Sequence, residues 1–234
     1  MKRAGNAVVM VTFALLASLV LPAPSSAALR SPQVSVLGTT LQTDLTGAGQ
    51  TINVLTQQDA TQSWTHTVSG TTEYTIEFQN SPNAALHTFG LYNSTAAVPN
   101  LVPLASGSVG VPGFSTAMFQ SGGGLLVNYF DSGGAFISQQ AFTGVDPSAF
   151  SFYLSGPSGT FYTQDARNPG GAAQALTYMG TGVDAGSWWL CWTEASVSGG
   201  GSNQSYADEV ILLSSVNTTP VSKSTWGQVK ARFR

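Results

Sequence analysis

Charge is scarce in this sequence. Only 8% of its 234 residues are Asp, Glu, Lys or Arg, and the formal net charge is -3 at pH 7. Binding nucleic acid calls for clustered Lys and Arg that displace counterions from phosphates, so no nucleic-acid partner is expected. Cysteine is almost missing as well: a lone Cys191 rules out an intramolecular disulfide. It sits in Trp188-Trp189-Leu190-Cys191-Trp192, where it reads as an inert core residue, because a reactive thiolate needs a polar, electropositive neighbourhood.

Catalytic signatures are lacking too. The two histidines, His66 and His87, both fall in strand-like stretches, and a surface or structural role suits them better than a metal-binding or catalytic one. There is no Gly-x-Ser-x-Gly elbow, His-Glu-x-x-His motif or Walker loop. Gly199-Gly200-Gly201-Ser202 leads into Asn203-Gln204-Ser205 rather than a helix, so it reads as a loop and not as a phosphate cradle. The candidate acids are Asp131, Asp146, Asp165, Asp184, Glu194, Asp208 and Glu209; none has a context that marks it as an acid or base. A pair of carboxylates meeting across the fold, as in glycoside hydrolysis, is the remaining enzymatic alternative.

What is present begins with an export pattern. Lys2 and Arg3 precede an apolar run from Ala7 to Leu21, Pro22 and Pro24 break it, and Ser25-Ser26-Ala27 offers a small-residue cleavage site. Residues 1–27 therefore read as a secretory signal peptide. The run is shorter than the roughly 20 residues of a membrane span, so no transmembrane segment is expected after cleavage. The expected location is extracellular or in the cell envelope.

Hydrophobic residues make up 42% of the chain, enough for a sizeable core. The expected strands are Gln33 to Leu37, Thr51 to Thr56, Glu73 to Gln79, His87 to Tyr92, Ser115 to Phe119, Leu125 to Phe130, Ala135 to Phe142, Ala149 to Leu154, Gly159 to Thr163, Ala175 to Tyr178, Trp188 to Thr193 and Glu209 to Ser214. Alternation is clear where Tyr74, Ile76 and Phe78 oppose Glu73, Thr75 and Glu77. Turn compositions such as Asn80-Ser81-Pro82-Asn83 and Gly156-Pro157-Ser158-Gly159 separate the strands. Many short strands at close spacing predict an all-β fold, an antiparallel, jelly-roll-like β-sandwich, over residues 28–216. Residues 217–234 read as a linker and a basic tail. Trp226, Val229 and Phe233 have the spacing of a short amphipathic helix, either packed on the domain or serving as an envelope-attachment tag.

Three stretches carry a resemblance. They are Thr88-Phe89-Gly90-Leu91-Tyr92-Asn93; Phe150-Ser151-Phe152-Tyr153-Leu154 with Gly159 to Asp165, Asn168 and Ala173 to Tyr178; and Trp192-Thr193-Glu194 followed by Ser202 to Val210. In order and spacing the chain resembles a family of secreted bacterial domains, domain of unknown function 4114, often found with PEP-CTERM sorting tails. That family carries a Ser-Asp-Arg-Asp-Tyr-Asn-Asp loop after a Glu-Asp pair, and the resemblance implies a calcium site of oxygen ligands. Here Asn203 and Ser205 stand where aspartates are usual, Ala207 where asparagine is usual, and Thr193-Glu194 replaces the acidic pair. The metal ligands implied for Ca2+ are Glu194, Asn203 and Asp208, with Asp165 as a helper. The competing reading of Ser202 to Asp208 is a loop shaped by Tyr206 packing and Asp208 capping backbone amides.

The function expected is a non-catalytic structural or adhesive module whose partner is an extracellular polysaccharide or an envelope or matrix protein. A carbohydrate-binding module is the alternative. If Trp188 and Trp192 are core, Trp189 projects to the opposite face, so Trp189 and Tyr206 are its candidate ligand contacts.

Overall fold

The computed structural model describes residues 30, 40–66, 70–107, 113–197 and 205–218. Its elements in chain order are α1 (Thr40–Gly47), β1 (Trp64–Thr65), β2 (Thr71–Phe78), β3 (Thr88–Asn93), β4 (Val102–Ser106), β5 (Gly113–Gln120), β6 (Gly124–Phe130), β7 (Phe136–Phe142), β8 (Phe150–Gly156), β9 (Gly159–Tyr162), β10 (Ala175–Met179), β11 (Trp188–Trp192), β12 (Glu209–Ser214) and β13 (Asn217–Thr218). The first sheet has the strand order β10-β11-β12-β2-β5-β6-β7. In the second the order is β13-β1-β8-β3-β4, with β9 also paired to β8. All the strand pairings are antiparallel. The all-β sandwich expected from the sequence is the architecture found. The proposed signal peptide and basic C-terminal helix lie outside the described residues, as does Gln33 to Leu37.

The main core forms where the inner faces of the sheets meet. Tyr74, Ile76, Phe119, Val127, Leu190, Trp192 and Ile211 come from the first sheet, and Trp64, Phe89, Leu91, Phe150, Phe152 and Leu154 from the second. Period-two alternation does the sorting: in β5 every other residue from Gly113 to Phe119 is buried. Phe152 lies at the centre. Its ring meets Trp64 edge-on at 4.9 Å, Tyr74 at 5.6 Å and Phe150 at 5.7 Å, and stacks with Phe89 at 5.4 Å, within the range where aromatic pairs attract.

A second core covers the outer face of the same sheet over β10 to β12. Leu41 and Leu45, one helical turn apart in α1, pack with Ile52, Val54, Leu176, Tyr178, Trp189, Cys191 and Tyr206. The stretch Thr51 to Thr56 has the expected alternation, with Ile52 and Val54 buried, but it is not a strand. The Gln42 side chain takes the place of a ladder partner, donating to the Ile52 carbonyl at 2.8 Å and accepting from the Val54 N–H at 3.1 Å. Phe78 also departs from expectation. The register shifts between Val210 and Ile211, pairing Val210 with Phe78 and Ile211 with Ile76, and Phe78 joins the second core instead of the first. Asn217-Thr218, read as the start of a linker, pairs with Trp64-Thr65.

Truncating the central ring tests this packing. Phe152→Ala removes contacts to four aromatic neighbours at a fully buried site, and should lower the unfolding free energy by about 3–5 kcal/mol. Urea denaturation measures it, and a loss below about 1 kcal/mol would mean the sheets do not meet around this ring.

Candidate functional site

The chemistry-bearing side chains gather at one end of the sandwich. His87 directly precedes β3 in the second sheet and follows a short 3-10 turn, Ala84–Leu86. Glu209 opens β12 in the first sheet, and Glu194 lies two residues beyond β11. The His87 ring lies between them: Nδ1 is 2.7 Å from Glu209 Oε2, and Nε2 is 2.7 Å from Glu194 Oε2. The side chains of His87 and Glu209 are each 1% exposed, and that of Glu194 is 16% exposed.

Ionised carboxylates only accept hydrogen bonds, so a ring flanked by two of them must donate from both nitrogens. That geometry, with a carboxylate oxygen at each ring nitrogen, favours the imidazolium form of His87. Burial alone would push its pKa down, but hydrogen bonds to Glu209 and Glu194, and their charges, outweigh that and raise it above the ordinary 6.5. Burial would likewise push the Glu194 carboxyl up. Hydrogen bonds from Ser81, Asn83 and His87, with the charge of His87, instead lower it below the usual 4.5.

The turn Asn80-Ser81-Pro82-Asn83 supplies the surrounding donors. Ser81 Oγ donates to Glu194 Oε2 at 2.6 Å and accepts the Asn83 N–H at 2.9 Å, while Asn83 Nδ2 donates to Glu194 Oε1 at 2.9 Å. Gln79 Nε2 donates to Glu209 Oε1 at 3.1 Å. Gly156 leaves room for the ring: a Cβ there would lie 2.9 Å from His87 Cδ2.

Asp208 lies in the same corner and serves the backbone. Its Oδ2 accepts the Glu194 N–H at 2.8 Å and the Thr193 hydroxyl at 3.2 Å, and its carbonyl accepts the Asn80 and Ser81 N–H groups at 3.2 and 3.3 Å. The capping role weighed for Asp208 is what the geometry displays. Tyr206 is buried, with φ of 51°, and donates its hydroxyl to the Ala173 carbonyl at 2.7 Å.

The residues implied as calcium ligands are thus divided. Glu194 and Asp208 are neighbours, but Glu194 is engaged by His87, Ser81 and Asn83. Asp165 is in a different network, paired with Arg30 and accepting from Gln62 Nε2 at 3.2 Å. Asn203 lies outside the described residues. Among the described residues no group of three or more His, Cys, Asp or Glu is arranged to hold a metal ion.

The expectation that Trp189 reaches solvent is corrected. Trp188, Leu190 and Trp192 face the main core, and the opposite face that Trp189 shares with Cys191 is covered by α1 and the Ile52–Val54 stretch. With Trp64, Trp188, Trp189 and Trp192 all buried, none of the described tryptophans offers a stacking platform, and Tyr206 is equally enclosed. Burial also pushes the Cys191 thiol up, in keeping with its core role.

His87 and Glu209 were not joined by the sequence reading. The usable signal was Glu209 itself, a charged residue at the head of the apolar run Val210-Ile211-Leu212-Leu213, since a buried carboxylate needs a partner. No family model matches the chain, and no curated protein or solved structure is significantly similar to it.

The cluster sets a pH window. The raised His87 pKa contributes stability that is fully present below about pH 6.5 and is lost as pH rises through the folded value. The lowered Glu194 pKa contributes stability that is present above about pH 4.5 and is lost as pH falls through the folded value. Removing the ring strands a buried carboxylate, so His87→Gln should cost about 3–5 kcal/mol near pH 6 and flatten the alkaline decline. Urea titrations across pH show it; parallel wild-type and variant profiles would contradict the clamp.

Proposed function

We propose that this chain is a non-catalytic structural or adhesive β-sandwich module that works outside the cell or in a bacterial cell envelope. The observation that carries the reading is the His87 cluster. A histidine acting as general base needs a nitrogen free to take a proton from a nucleophile or substrate, and both nitrogens of His87 already face carboxylates. The Ser81 hydroxyl points to Glu194, not to the ring. The cluster ties the start of β3 in one sheet to β11 and β12 in the other, which is a mechanical use of ionisable groups. A cavity of about 440 Å3 elsewhere, beside Pro103, Tyr129 and Ile137, shares no lining residue with it.

Export is supported by the N-terminal sequence pattern, and the three stretches resembling a secreted bacterial family point the same way. A hydroxyl- and amide-rich surface with little charge suits contact with neutral envelope or matrix polymers. The carbohydrate-binding alternative loses its proposed contacts, Trp189 and Tyr206, to burial.

The test is retention of the purified protein on isolated cell envelopes and on extracellular polysaccharide of the producing bacterium. Alongside it runs an assay with ester, glycoside and peptide substrates. The reading expects retention without turnover, equal in Ca2+ and in chelator. Turnover abolished by His87→Gln would overturn it. Retention lost in chelator, and equally in Asp208→Ala, would instead place calcium in the 198–208 loop.

A further inference from the structure

The charges of this chain are segregated. All 11 acids lie from Asp44 to Glu209, while the described residues hold only Arg30 and Arg167 of the 8 Lys and Arg. Both of those are engaged. Arg30 pairs with Asp165, and Arg167 donates to Gln164 and to the Ser94 and Ala96 carbonyls. Lys223, Lys230, Arg232 and Arg234 all follow Thr218, where the described chain stops.

One part of the surface has the complementary character. The second core covers the outer face of the first sheet over β10 to β12, and no residue of β5, β6 or β7 belongs to it. On that remaining face Phe114, Phe130 and Phe136 form a row of rings across three strands, at 4.6 and 6.0 Å. Further along, Leu126 pairs with Met118. Phe136 is 60% and Met118 37% exposed. Glu73 of β2 borders the patch, opposite Thr116 of β5. Burial, and then the charges of Asp184 and Glu73, push the Glu77 carboxyl above its usual 4.5. Among the described residues no base pairs with any of these three acids.

We propose that this half-covered face is the docking surface of the chain's own C-terminal segment, residues 223–234. Trp226, Val229 and Phe233 supply an apolar stripe for the rings, and Lys230, Arg232 and Arg234 supply the cations that Glu73 and Glu77 lack. The dimensions agree. In helical form Trp226 to Phe233 spans about 10 Å, and Phe114 to Met118 along β5 spans about 13 Å.

The segment also starts close by. Thr218 pairs with Trp64, and two residues beyond Trp64 the His66 ring stacks on Phe119, the neighbour of Met118, at 5.5 Å. The connection 219–225 extends at most about 24 Å, enough to turn from that end of the sandwich onto the outer face. Charge selects this occupant over a second copy of the domain, which would bring its own unanswered acids to the face. This inference goes beyond the adhesive reading and does not rest on it.

Peroxide oxidation of the purified full chain, read by peptide mass spectrometry, tests it. Met118 lies on the patch, whereas Met179, 54% exposed, lies on β10 and serves as the control for unfolding. A segment with a separate-chain affinity of about 0.1 mM, tethered at an effective concentration of about 1 mM, should slow Met118 oxidation about tenfold. Trp226→Ser with Phe233→Ser, and separately Lys230→Glu with Arg232→Glu, should restore the Met118 rate and leave Met179 unchanged. Glu73→Lys, at an exposed position, should restore it in part. Equal Met118 rates in the unaltered chain and both tail variants overturn the proposal. Protection that rises with protein concentration and survives the tail changes also overturns it, since a second copy would then cover the face.

Discussion

A histidine ring held between two carboxylates, itself almost out of contact with water, ties the two sheets together at one end of this sandwich. His87 directly precedes β3, Glu194 lies two residues beyond β11, and Glu209 opens β12. Separating the sheets there would leave charges facing an apolar interior, and that is costly unless they are paired. The pairing also fixes geometry. The ring dictates where both carboxylates lie, Asp208 holds the backbone at Glu194, and the Asn80–Asn83 turn closes over them. Hydrophobic burial supplies most of the driving force, as in any such fold, but it is non-directional. The clamp supplies direction where the chain crosses between sheets.

The first sheet is a divided surface. Over β10, β11 and β12 both faces are buried, one under the second sheet and one under α1 and the segment that follows it. Over β5, β6 and β7 the outer face carries only partly covered side chains, and no described strand pairs with the outer edge of β7. The ionic clamp belongs to the first half.

Much of the fold was legible because alternation is a local signal. β12 was read with the bounds it has, and most central strands to within a residue or two. What escaped depends on long-range partners. β1 and β13 are two-residue strands defined by long-range pairing, β13 with β1 and β1 with β8 as well. β4 was hidden by Pro103, tolerated there because the strand is at an edge. α1 has a single apolar pair, Leu41 and Leu45, too little periodicity to declare a helix. The stretch from Thr51 to Thr56 showed a strand's alternation but found a glutamine side chain in place of a ladder. The site was less legible. His87 was set down as a surface or structural residue, and its two acids lie 107 and 122 residues away in sequence. Trp189 was misplaced because alternation says which residues share a face and not what covers it.

The central claim is a protonation state, and nitrogen-resolved NMR of the imidazoles reads it directly. At neutral pH, where an exposed histidine has largely lost its second proton, the account predicts that His87 keeps both ring N–H protons, protected from exchange and each coupled across a hydrogen bond to a carboxylate. A neutral His87 ring with one bare nitrogen at that pH would contradict it.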